Sequence, residues 1–148
     1  MKKLKYVLAL VAVLLVGVSL TACGKSTTEK LQSQKWDFTT KTDTMTAKFK
    51  KNGTLIVGTQ LLTASYDYKV YSPNNSKQEY LMIKDKSDSN RIIKYVYTIS
   101  DDKNNGYVLK PVQKKMNLWA KIDGTDNMKS TLKLSPKGEY KGALKWGI

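Results

Sequence analysis

Thr44-Met45-Thr46-Ala47-Lys48-Phe49-Lys50-Lys51-Asn52-Gly53-Thr54-Leu55-Ile56-Val57 is the stretch whose reading decides the fold. Met45, Ala47 and Phe49 share one parity, and Thr44, Thr46 and Lys48 share the other. That is the period of a strand with one buried face. Lys50 to Gly53 interrupts it with an Asn-Gly pair suited to positive φ. Thr54 to Val57 then returns, rich in β-branched side chains. Two such runs around a tight turn predict an antiparallel hairpin.

The same period continues down the chain. Tyr66, Tyr68 and Val70 alternate with Asp67 and Lys69, and Ser72 to Ser76 breaks the run. Tyr80 to Ile83 is apolar on both faces, which predicts a strand covered on both sides or lying beside a partner. After the charged loop Asp85 to Asn90, Ile93, Tyr95, Tyr97 and Ile99 oppose Lys94, Val96 and Thr98. Asp101 to Gly106 is dense in turn formers. Tyr107, Leu109 and Pro111 follow, with Pro111 expected at an edge or a strand end. Leu118, Ala120 and Ile122 against Trp119 and Lys121 predict a further strand, and Asp123 to Asn127 a turn. Met128, Ser130, Leu132 and Leu134 predict the next strand. Tyr140, Gly142, Leu144, Trp146 and Ile148 share a parity that carries a last strand to the C-terminus.

The count is about eight to nine strands. It predicts an all-β chain: a single antiparallel β-barrel or closed sandwich. No stretch after Cys23 has the apolar period of a three-turn helix. Short helices fit at Glu29 to Gln34 and at Val112 to Asn117.

The N-terminus reads differently. Lys2, Lys3 and Lys5 precede the apolar run Tyr6 to Val18, and the small residues Ser19, Thr21 and Ala22 lead to Cys23, the single cysteine. Charge, apolar core and small-residue site are the order of a secretory signal peptide. Leu20-Thr21-Ala22-Cys23 resembles the lipobox of bacterial lipoproteins at all four positions. The resemblance implies a cut between Ala22 and Cys23, a diacylglyceryl group on the Cys23 sulfur, and Cys23 as the new N-terminus. Two acyl chains hold a domain to a bilayer stably where one binds marginally. A short transmembrane helix over Tyr6 to Ala22, at the lower limit for spanning, and an incidental thiol after an ordinary signal are the competing readings. The organisation expected is a signal-peptide helix over residues 1–22, a lipidated Cys23 with a polar tether to residue 35, and a β-barrel-like domain over 36–148.

Composition narrows the function classes. The chain has 148 residues and a formal charge of +14. Removing 22 residues takes away three lysines and no acid, leaving 126 residues at +11, enough for one core. With Cys23 acylated no disulfide can form, so packing must supply the stability. Histidine is absent, which removes the usual general base, Ser-His-Asp chemistry and Cys/His zinc sites. Arg91 is the only arginine, and nothing clusters arginine with aromatics as nucleic-acid sites do. A lysine coat on an anchored protein suits anionic headgroups or wall polymers; a compositional bias that makes a solvated surface is the competing reading.

An early Trp36, then Phe49-x-x-x-Gly53-Thr54, Tyr66-x-Tyr68 and a strand ending in Leu109-Lys110-Pro111 look like the small lipocalin-like domains of bacterial surface lipoproteins. Lipocalins proper carry Gly-x-Trp on the first strand, where this chain has Gln34-Lys35-Trp36. The resemblance implies a small barrel and carries no catalytic residue across.

Few residues suggest chemistry. If the faces of Tyr66, Tyr68, Tyr95 and Tyr97 line a barrel interior, they offer apolar walls with hydroxyl tips for an amphipathic ligand. Ordinary β-core is the competing reading. Trp36, Trp119 and Trp146 are candidate ligand platforms, though Trp36 and Trp146 better suit plugs that close the barrel ends. Asp123 to Asn127 lacks the spacing and the terminal glutamate of a calcium loop, and Asp67, the in-strand acid, has outward parity. The expectation is a non-enzymatic lipoprotein on the extracytoplasmic face of the cell membrane, needing no cofactor, metal or nucleic acid. It would bind a small amphipathic ligand or a surface partner. The alternative is a structural or protective envelope protein that contacts anionic wall polymers, or a protein partner, through its lysines.

Overall fold

The fold is that of a computed structural model, which describes residues 26–122 and 127–137. The signal peptide, Cys23, most of the Asp123 to Asn127 turn and the strand expected over Tyr140 to Ile148 lie outside the described residues. Contacts divide the chain into two units, residues 1–30 and 31–148. In the first, Ser26 starts helix α1 (Thr27–Gln32). Its hydroxyl accepts the Glu29 amide at 3.2 Å and donates to the Glu29 carboxylate at 3.3 Å, a capping arrangement that satisfies an orphan donor of the first turn.

The second unit holds eight antiparallel strands: β1 (Lys35–Thr39), β2 (Thr44–Phe49), β3 (Thr54–Gly58), β4 (Thr63–Tyr71), β5 (Glu79–Asp85), β6 (Ile93–Asp102), β7 (Gly106–Pro111) and β8 (Leu132–Pro136). Each pairs with the next and β8 pairs with β1, closing a barrel. Closure satisfies every sheet edge. Pro111 ends β7, as its missing N–H requires.

The hairpin that opened the reading is β2–β3. Lys50 N–H donates to Thr54 O at 2.8 Å and Gly53 N–H to Lys50 O at 3.1 Å. Gly53, at φ +89°, takes the left-handed position. The turn is therefore a three-residue loop closed by a glycine bulge. The Asn52 carboxamide oxygen accepts the Thr54 amide at 3.0 Å.

Side-chain parity places the core inside the barrel. Trp36, Phe38, Ala47, Phe49, Leu55, Leu81, Ile83, Leu109, Leu132 and Leu134 are buried, and so are Ile93, Tyr95, Tyr97 and Ile99 of β6. Val96 has outward parity on β6 yet is 1% exposed. Val112 N–H extends the β6–β7 ladder by donating to Val96 O at 2.8 Å, and the chain beyond it packs against the outer wall of β6. A 3₁₀ turn (Gln113–Lys115) follows, with Lys115 Nζ 5.1 Å from the centre of the Tyr80 ring. Of the run Tyr80 to Ile83, expected to be covered on both faces, the outward Tyr80 is covered by this lysine, while the outward Met82 is half-buried.

Two strand expectations need correction. Leu118–Ile122 is a helix, α2, and not a strand. Asn117 caps it, its carboxamide oxygen accepting the Ala120 amide at 3.0 Å and the Lys94 amide at 3.1 Å. Met128 and Ser130 lie in a turn, and β8 begins only at Leu132.

Candidate functional site

The two ends of the barrel differ. One end is filled by the residues that begin β1 and β7 and end β2, with Tyr68 of β4. Trp36 donates its indole N–H to Leu31 O at 2.9 Å and its ring lies 5.6 Å from Tyr107. Phe49 meets Tyr68 edge-on at 5.0 Å. Tyr68 donates to Lys50 O at 2.7 Å and accepts from Gln32 Nε2 at 2.8 Å. Aromatic packing, with the Tyr68 hydroxyl and the Trp36 indole N–H both hydrogen-bonded, seals this end.

The opposite end carries the connections 40–43, 59–62, 86–92 and 112–131. A cavity of about 420 Å³ opens there. Phe38, Met45, Leu55, Val57, Ile83 and Met128 form its walls, Tyr66 adds a phenol, and Leu62, Thr63 and Ala64 stand at the rim. No charged side chain among the described residues lines it. Volume and lining suit the apolar part of a small ligand.

Four hydrogen bonds shape one side of the mouth. The Thr40 hydroxyl accepts the Asp43 amide at 3.1 Å and the Thr42 amide at 3.3 Å, fixing the β1–β2 turn. Asn127 Nδ2 donates to Thr42 Oγ1 at 2.9 Å, and Tyr97 donates to Met128 O. Together they draw the 127–130 turn across part of the opening. On the other side, Gly58 lets the loop 59–62 fold close: a Cβ there would sit 2.6 Å from Leu62 O.

The four tyrosines part company. Tyr66 lines the cavity, and burial, then Asp85, raises its pKa, so it is a neutral hydroxyl near neutral pH. Tyr68 belongs to the sealed end. Tyr95 and Tyr97 are buried core. Burial raises the Tyr97 pKa well above the usual phenol value, with Tyr95 and Tyr66 adding to it. Trp119 is 40% exposed and lies 5.6 Å from the Arg91 guanidinium. Asp67 points outward and pairs with Lys86.

Sequence reasoning missed most of the cavity walls and the lip. Leu61 and Leu62 were the available signal, because two adjacent leucines in a turn break the polar rule for connections. Among the described residues no group of three or more acidic or cysteine side chains is placed to hold a metal ion. No family model, curated protein or solved structure matches the chain.

Proposed function

We propose that the chain is a non-enzymatic, extracytoplasmic lipoprotein, anchored through Cys23, whose lipocalin-like barrel holds the apolar part of a small amphipathic ligand in the mouth cavity. The observation that carries the binding half is the cavity itself. A small barrel is expected to fill with its own side chains, and this one fills at the sealed end and leaves apolar walls open at the other. Tyr66 is the polar group placed to meet a ligand hydroxyl or carbonyl. The anchoring half rests on Leu20-Thr21-Ala22-Cys23.

The test is native mass spectrometry of the processed protein purified from its own host, with lipid extraction of the same sample. A small molecule of defined mass should travel with the wild type and be lost in Ala64→Trp. Ala64 is an exposed rim position opposite Val57, so the indole fills the entrance of the cavity. A bare protein mass in both would sink the ligand reading. It would favour the second reading, an envelope protein whose lysine excess holds it to anionic wall polymers. That attachment should weaken as salt rises, while a ligand in the cavity should not respond.

A further inference from the structure

Six large apolar side chains are exposed among the described residues: Leu61, Leu62, Ile92, Leu118, Trp119 and Ile122. All six lie on connections at the mouth, in 59–62, 86–92 and 112–131. Leu61 is 90% exposed and Leu62 78%, so neither packs on the barrel. The 59–62 loop leaves β3, while Ile92 and α2 sit beside β6. The apolar groups therefore flank the opening from two sides. A monomer in water gains nothing by gathering its exposed leucines, isoleucines and tryptophan at one end.

Charge narrows what covers them. The mouth connections carry Lys41, Lys86, Arg91, Lys121 and Lys129 against four aspartates, on a processed chain whose excess is +11, while Lys114 and Lys115 belong to the 3₁₀ turn on the outer wall. Two copies meeting mouth to mouth would bring like charges together. A bilayer bearing anionic headgroups meets both features, since it attracts the cations and takes up leucine and tryptophan at its interface.

We infer that the mouth docks on an anionic lipid surface, with Leu61 and Leu62 inserting on one side of the cavity and Trp119, Leu118 and Ile122 on the other. The cavity then opens into the acyl region, and an amphipathic ligand passes between barrel and bilayer without crossing water. The docking geometry depends on the rim residues and not on what the cavity holds.

The test uses the full chain reconstituted in vesicles of phosphatidylcholine and phosphatidylglycerol whose acyl chains are brominated near the headgroup. Whatever holds the N-terminus to the vesicle is common to every variant. Tryptophan emission should be quenched, and Trp119→Phe should remove the quenched component. Leu61→Ser with Leu62→Ser, across the mouth from Trp119, should lower that quenching about twofold or more at an unchanged thermal midpoint. Vesicles of phosphatidylcholine alone should quench less. Equal quenching in the wild type and Trp119→Phe would place the mouth away from the bilayer and overturn the inference. A cross-linked dimer joined through the mouth residues would overturn it as well. Ligand loss in Ala64→Trp with lipid quenching retained would separate this result from the binding reading.

Discussion

Replacing Trp36 by Phe tests how the sealed end is held. The indole is 1% exposed, donates to Leu31 O at 2.9 Å and packs against Tyr107. Trp36→Phe removes the hydrogen bond, worth about 1 kcal/mol net, and leaves a carbonyl without that donor. It also leaves a void where the larger ring stood, costing about 1–2 kcal/mol more, since removing the whole side chain would cost about 3–5 kcal/mol. The expected loss is about 2–3 kcal/mol, or roughly 8–12 °C in Tm for a domain of this size. Trp119→Phe is the control. That ring is 40% exposed, and its change should stay within about 0.5 kcal/mol. Thermal unfolding followed by circular dichroism reads both. A Trp36→Phe midpoint within about 2 °C of wild type would refute the reasoning, because it would mean that Leu31 and the barrel end hold without the indole.

The remaining predictions draw on other parts of the molecule. Gly53→Ala should cost about 1–2 kcal/mol for the left-handed backbone alone, because nothing lies within 4 Å of the added Cβ; denaturant unfolding should show a shifted midpoint with an unchanged slope. Gly58→Ala drives a Cβ to 2.6 Å from Leu62 O, so the 59–62 lip must move outward; proteolysis within that loop should speed up while the barrel persists. Tyr68→Phe removes both the bond to Lys50 O and the one from Gln32, and should cost about 1–3 kcal/mol by chemical unfolding. Burial raises the Tyr97 pKa in the folded chain. The unfolded chain then loses the proton first, so stability is intact below about pH 10 and falls as pH rises beyond it. Tyr97→Phe should flatten that fall in Tm measured between neutral and strongly alkaline pH.

The fold was largely legible because a strand with one buried face writes its parity into the sequence. Ile93, Tyr95, Tyr97 and Ile99 alternate with Lys94 and Thr98, and the barrel buries the first set. Asn52-Gly53 marked its turn because glycine can take the backbone angle needed there. Leu118 to Ile122 misled for a physical reason. Five residues are too few to separate a period of two from one of 3.6, and the deciding feature was the cap at Asn117. Asn117 also ties the helix to Lys94 and Ile92, far away in sequence. Of the cavity, Tyr66 alone was legible. Whether a barrel interior fills depends on which side chains share a level, and that follows from register across strands. Met45 stands opposite Phe38, Val57 opposite Ala64, and Leu55 opposite Tyr66. No local pattern encodes those pairings.

The register also explains why one end is sealed and the other open. Large rings enter where Trp36, Phe49, Tyr68 and Tyr107 converge, and each polar tip in that group with a bond in the structure finds a backbone or amide partner. At the mouth the inward positions are smaller or unbranched: Met45, Val57, Ala64 and Met128. Methionine fills irregular space and adapts its shape, so Met45 and Met128 let the cavity walls change their outline. The asymmetry costs burial, because leucines that could have entered the core stand in the 59–62 loop instead. A chain selected for stability alone would place Leu61 and Leu62 inward and polar residues on the loop. Changing Leu61 and Leu62 together to Ser should therefore leave the thermal midpoint within about 2 °C of wild type, while lipid contact falls. If instead the double change lowered the midpoint by about 5 °C or more, the leucines would be buried in solution, and the open mouth would be a closed one.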